Sequence, residues 1–254
     1  MVHIDELYNY DLVEILAAVP PRFLILQCRS VCTKWKEIIE SSAFWVLKCQ
    51  RMGYVLPQRI ARPLDWRSFV CLPKMNRNLL SNPRARKGFD YWSMDEAGGN
   101  GWKVEFVNEP KILMLGENRV RKYFATSHRQ CLKSQLIDLR KMGYRSHFMD
   151  FLQPDIIVKD WYAPRPTAGA RYKLRIQLLS EDKEVLREYC PRTIVMRSDN
   201  KGQWHQISYI FHNYGEGVRY VFFQHGGQDE MLWGGWYGVR VTNSSLSLGF
   251  RGLP

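Results

Sequence analysis

A chain of 254 residues has room for one large domain or two ordinary ones. With 45% hydrophobic and 24% charged residues it can bury a substantial core, which excludes a disordered or fibrous class. The net charge of +12 admits an acidic partner, but a solvated surface is the commoner explanation.

The opening "MVHIDELYNYDLVEIL" has neither the basic start nor the apolar stretch of a secretory signal. Apolar runs such as "FLIL" and "YVFF" are too short to span a bilayer, so a cytoplasmic protein with no membrane span is expected. Leu12, Ile15, Leu16 and Val19 recur at helical spacing until Pro20-Pro21 stops the segment. A second stretch places Cys28, Val31, Cys32, Trp35, Ile38 and Ile39 on one stripe, and Ser41-Ser42 is positioned to cap a third helix that ends at Gly53. Three helices this short leave Leu12 and Leu16 with little to bury against, which points to a helical partner.

Residues 51–75, rich in proline and tryptophan, are expected to be a linker with one short helix near "DWRSFVCL". From 76 onward the period changes. "RYKLRIQLL" alternates Tyr172, Leu174, Ile176 and Leu178 with polar residues, the signature of a half-buried strand. "DIIVKDWYA", "QISYIF", "VRYVFF" and "YGVRVTNSSLSL" add further strands, and "YRSHFMDFL" a helix with Tyr144, Phe148, Phe151 and Leu152 on one face. The predicted fold is α+β multidomain: a three-helix module over 4–50, a helical linker over 51–75, and an antiparallel β-sandwich with a helix or two over 76–250.

Within "HGGQDEMLWGGWYGVRVTNSS", residues 225–245, five glycines surround Trp233, Trp236 and Tyr237. Glycines at 226, 227, 234, 235 and 238 suit the corners of a strand-loop-strand segment, with Trp236 and Tyr237 expected to pack beneath it.

Catalytic signatures are missing. There is no G-x-S-x-G, no phosphate-binding P-loop and no H-E-x-x-H. The six cysteines form no C-x-x-C pair and are expected as reduced core residues; neither a metal nor a cofactor is predicted. The lone sequon Asn243-Ser244-Ser245 would matter only in a secreted protein. Charge is concentrated in the middle, where 101–150 holds 10 basic against 5 acidic residues. A nucleic-acid-binding role for the stretch from Arg51 to Arg145 is therefore the lesser alternative, since no basic run is interleaved with aromatics on one strand face.

"IDELYNYDLVEILAAVPPRFLILQCRSVCTKWKEII" resembles an F-box, matching at Leu7, Leu12, Ile15, Leu16, Val19, Pro20, Leu24, Cys28, Arg29, Val31, Cys32 and Trp35. Tyr8 stands where that pattern has proline and Asp11 where it has glutamate. "NRNLLSNP", "KYFATSHRQCLKSQLIDL", "PDIIVKDWYA" and the Gly/Trp segment resemble the F-box-associated domain of glycoprotein-recognising F-box proteins. The resemblance implies a non-catalytic substrate-recognition subunit of an SCF-type ubiquitin ligase. Leu7, Leu12, Ile15, Leu16, Pro20, Leu24, Val31 and Trp35 would then bind the SCF adaptor, and through it the cullin and RING subunits. The sandwich would present misfolded or N-glycosylated protein substrates in ER-associated degradation. It also implies a carbohydrate site at His128, Ala168, Gly169, Ala170, Leu232 and Trp233. Trp233 matches the family's stacking ring, whereas Leu232 and His128 replace two aromatics and Gly234 a lysine. Losing two rings predicts roughly ten- to hundredfold weaker glycan binding or a changed ligand, so a ligase adaptor for non-glycosylated cargo stays open. An isolated lectin would require the F-box match to be spurious.

Overall fold

The computed structural model describes residues 7–53, 74–107 and 113–250. The short helix expected near residues 65–72, most of the linker and residues 4–6 of the helical module lie outside the described residues.

The first segment forms four α-helices, α1 (Asn9–Ala18), α2 (Pro21–Leu26), α3 (Thr33–Glu40) and α4 (Ser42–Arg51), with a 3-10 turn at Cys28–Ser30. Val19, preceding Pro20, is extended at φ −72° and ψ 137°, as the proline ring requires, and Pro21 opens α2 where its missing N–H costs nothing. The expected second helix is in fact broken: Cys32 is extended at φ −157° and ψ 170°, separating α2 from α3. An unbroken helix would hold Leu24 and Ile39 about 22 Å apart. The break folds them back so that both are fully buried. Their companions are Leu12, Leu16, Phe44 and Trp45, so the expectation that Leu12 and Leu16 lack internal cover is corrected. Ser41 holds the N-cap position of α4 without a side-chain capping bond, contrary to expectation. Buried Lys48 supplies a cap elsewhere, donating to the Ala17 and Val19 carbonyls at 2.6 and 2.8 Å at the C-terminal end of α1.

The second part is a sandwich of two antiparallel sheets. One contains β1 (Ser93–Ala97), β6 (Cys131–Asp138), β12 (Tyr220–Asp229), β8 (Ala170–Leu179) and β10 (Ile194–Met196) in that order, with β9 (Val185–Tyr189) also paired to β8. The other runs β11 (His205–Phe211), β7 (Asp155–Ala163), β13 (Arg240–Gly249), β5 (Lys122–Ala125) and β2 (Lys103–Phe106). A hairpin of β3 (Leu113–Leu115) and β4 (Asn118–Val120) and one helix, α5 (Ser146–Phe151), complete the described elements. Alternation in β8 follows its sequence: Tyr172, Leu174, Ile176 and Leu178 face the core while Arg171, Lys173 and Arg175 face out.

β13 breaks that rule. Its pairing with β7 shifts register between Thr242 and Ser245, with Asn243 left-handed at φ 51°. This bulge changes the parity of the strand, so Ser244, Leu246 and Leu248 point inward after Val241. β5 pairs only Arg240 and Val241, and the free edge beyond is covered by residues 76–80. There Asn78 accepts from Leu246 N at 3.0 Å and donates to the Ser244 carbonyl at 2.9 Å.

A polar network crosses the core. Asp160 of β7 accepts from Tyr172 Oη at 2.6 Å, from Ser244 Oγ at 2.7 Å and from its neighbour Trp161 N at 3.0 Å. It meets His225 Nδ1 of β12 at 2.5 Å, and His225 Nε2 lies 2.6 Å from Lys133 Nζ of β6. Trp92 stacks on the His225 ring with centroids 5.1 Å apart, and Lys133 Nζ sits 3.0 Å from the centroid of the same indole. Burial lowers His225 to about 4, outweighing Asp160, so the ring is neutral. Neutral imidazole fits the geometry: Nδ1–H donates to the carboxylate and Nε2 accepts from lysine. Burial also drives the Lys133 amine well below its ordinary value, against the pull of Asp160.

Candidate functional site

Three loops meet at one end of the sandwich. The β5–β6 turn carries Ser127 and His128, the β7–β8 turn carries Ala168 to Ala170, and the β12–β13 loop carries Leu232 and Trp233. Short bonds fix their relation. Ser127 Oγ donates to the Gly235 carbonyl at 2.8 Å, Glu230 N to the Gly169 carbonyl at 3.0 Å, and Gly238 N to the Thr126 carbonyl at 3.1 Å. Asn100, from the β1–β2 turn, accepts from Gly235 N at 2.8 Å while its own N–H donates to Ser127 Oγ at 2.9 Å.

The sequence-derived sugar residues share this end but not its surface. Trp233 is 45% exposed and Leu232 63% exposed at the loop tip, with Leu232 held left-handed at φ 56°. Asp229 Oδ1 accepts from Leu232 N at 2.5 Å and so fixes this conformation. His128 is half-buried; its Nδ1 lies 3.0 Å from Ser127 Oγ and its ring packs on Gly99. Ala168, Gly169 and Ala170 are buried beneath the rim, and Gly169 is hemmed in by Glu230 and the Met196 carbonyl.

Tyr237 corrects an expectation. It is 41% exposed rather than packed under the loop, and it meets Trp233 edge-on at 5.9 Å between centroids. Trp236 is half-buried, with Lys103 Nζ 4.5 Å from its ring centroid. Beside these rings opens a cavity of about 440 Å³ lined by Lys103, Glu105, Arg165, Thr167, Trp236 and Tyr237. Arg165 bridges its walls, donating to the Trp236 carbonyl at 2.9 Å and to Glu105 at 2.5 Å. Burial works to raise the Glu105 carboxyl, yet Arg165, Tyr123 and Lys103 together hold it below its usual value. Nothing in the sequence announced this group, because Glu105, Tyr123 and Arg165 are brought together only by sheet pairing and a loop.

A second surface lies on the helices. Of the residues expected to bind an adaptor, Leu12, Leu16 and Leu24 are interior. Ile15, Pro20 and Val31 are exposed, Ile15 by 46% and Val31 by 58%, and Leu7 and Trp35 are half-buried. Phe23, Leu26 and Tyr8 are exposed as well and were not anticipated. The signal for the first two was present: spaced by three on α2, they lie away from buried Leu24. So many bare apolar side chains on so small a module mark an interaction surface. Among the described residues no group of His, Cys, Asp and Glu could hold a metal, and no helix is long and apolar enough to cross a membrane.

Helical module and sandwich together correspond to known families. The F-box domain matches residues 5–47 and the F-box associated region residues 70–248. F-box only protein 44 of Homo sapiens is 43% identical over 247 residues, covering 97% of each chain. F-box only protein 6 of Mus musculus is 43% identical over 251 residues, covering 99% of this chain and 85% of the other. F-box only protein 2 of Bos taurus is 42% identical over 247 residues, covering 96% and 83%. The chain belongs to the F-box only proteins that carry an F-box associated region. It is thereby a non-catalytic adaptor of the SCF ligase class, with its F-box as the docking module for the ligase.

Proposed function

We propose that this chain recruits N-glycosylated protein cargo to an SCF-type ubiquitin ligase, holding the sugar at the sandwich end with Trp233 as the stacking ring. The observation that carries this reading is the Trp233–Tyr237 pair: a 45% exposed indole braced edge-on by a second exposed ring. An exposed ring face gains apolar burial against sugar C–H groups, and the charged rim of Lys103, Glu105 and Arg165 can bond hydroxyls. Tyr237 offers a second ring where Leu232 and His128 do not. In this reading the cargo is misfolded glycoprotein of ER-associated degradation, met in the cytoplasm, and ubiquitination follows from proximity of cargo to the ligase. On the helical side Ile15, Phe23, Leu26 and Val31 are the adaptor contacts.

Exposed Met231 and Leu232, flanking Trp233, favour a second reading in which the same loop grips bare protein surface. Affinity purification under proteasome inhibition, with and without deglycosylation of the captured material, separates the two. Glycan cargo is lost on deglycosylation; cargo retained at full yield replaces the first reading with the second.

A further inference from the structure

At the other end of β5 from the Ser127–His128 loop lies a cavity of about 550 Å³ lined by Arg84, Arg86, Phe106, Arg119, Arg121 and Lys122. Among the described residues the lining holds five cations and no carboxylate, and none of the five forms an ion pair. The sequence explains how they converge. Arg84-Ala85-Arg86 and Arg119-Val120-Arg121 are two copies of one pattern, with Ala85 and Val120 buried between their arginines. Strand alternation turns Arg119 and Arg121 outward about Val120, and the left-handed turn at Ala85 (φ 52°) brings Arg84 and Arg86 to the same mouth. Arg84 donates to Asn118 Oδ1 at 2.8 Å, which ties the first pair to the β3–β4 hairpin. Lys122 Nζ lies 4.8 Å from the Phe106 ring centroid.

Gathering unpaired guanidinium groups in one hollow is repulsive, and burial together with Arg86 already lowers Arg84 below its ordinary value. An anion of two or more charges would relieve that repulsion. We propose that this cavity binds a phosphoserine- or phosphothreonine-bearing segment of a protein partner. A phosphate carries about two negative charges at neutral pH and accepts paired N–H bonds from the planar fork of arginine. A peptide fits better than a nucleic acid. Among the described residues the lining offers a single ring, Phe106, and so no run of faces for successive bases. β2, which ends in Phe106, is also the last strand of its sheet, and an extended peptide can pair there while its phosphate enters the cavity. The site is separate from the sandwich-end loops, so it stands whether their ligand is a glycan or a protein.

Fluorescence anisotropy on the full chain tests it. The probe is a labelled twelve-residue Gly/Ser peptide with two phosphoserines two residues apart. Its unphosphorylated counterpart and a ten-nucleotide oligothymidylate are the comparisons. The phosphopeptide should bind best, and Arg119→Gln with Arg121→Gln should weaken it at least tenfold, since two charge-assisted bonds are removed. Trp233→Ala should leave this affinity unchanged. Melting curves check the fold of the double variant, and Arg86→Gln in the exposed loop gives a second, milder removal. Equal binding of both peptides, tighter binding of the oligonucleotide, or wild-type affinity in folded double variant would each overturn the proposal.

Discussion

In the proposed reading Trp233 serves binding more than the fold. Because it is 45% exposed and touches Tyr237 only by an edge, Trp233→Ala should shift the melting temperature by less than about 2 °C. Cargo binding should fall roughly tenfold or more, since an aromatic anchor at a binding loop carries a large share of the affinity. A glycan array run beside thermal melts reads both quantities; a large loss of stability with unchanged binding would return the ring to a packing role. Asp160 behaves oppositely. Three side chains converge on its carboxylate in a fully buried place, so Asp160→Ala should cost about 3–5 kcal/mol, measurable by urea unfolding. His225 adds a pH signature. Its ordinary value is 6.5 and its folded value about 4, so between those pH values the unfolded chain takes up a proton that the folded chain refuses. The stability linked to this residue is therefore complete above pH 6.5 and is lost as pH falls towards about 4. Melts at several pH values should show that slope, and His225→Gln should flatten it.

At the level of strands and helices, local pattern and long-range pairing divide what sequence can say. Regular alternation made β8 and β11 readable, because each turns every second side chain inward, fully buried in β8 and mostly half-buried in β11. β1 was not readable: Ser93–Ala97 is exposed along its whole length and exists by pairing with β6. The break between α2 and α3 was equally silent, since the stripe from Cys28 to Ile39 keeps helical spacing and only the shared core requires the chain to turn. β12 shows where glycine is obligatory. A side chain at Gly226 would fall on the Cys131 carbonyl oxygen, and one at Gly227 on that of Arg171, because β12 is held between two strands. Gly226→Ala should therefore open the β12–β6 ladder beneath the Trp233 loop, lowering the melting temperature and impairing cargo binding together. Hydrogen exchange on β6 and β12 is the direct measurement.

For the whole molecule, two interaction surfaces with different chemistry follow from two kinds of core. The helical core is small and leaves Ile15, Phe23, Leu26 and Val31 bare, so Ile15→Asp with Val31→Asp should abolish a complex with the SCF adaptor while circular dichroism stays helical. Leu16→Asp should instead unfold the module, because that side chain is interior. A co-purified complex of normal yield from the double variant would place the adaptor elsewhere. The sequence pattern put Leu12, Ile15, Leu16, Leu24 and Val31 in one apolar set and left out Phe23 and Leu26; only depth divides the set into buried and exposed members. The sandwich-end site was legible in its loops, through the clustered glycines and tryptophans, and illegible in its charged rim, whose members are far apart in sequence.

The bulge in β13 also decides the part played by the sequon within it. Asn243, the acceptor of the only sequon, donates its side-chain amide to the Leu115 carbonyl at 3.1 Å, and Ser244 of the same triplet is buried against Asp160. A sugar on that amide would have to displace the first bond and pull the strand away from the second. Asn243 is thus structural in the folded chain, part of the bulge rather than a free acceptor. The triplet that reads as a sugar acceptor in the sequence is, in the fold, the point at which one irregular strand turns its inner face.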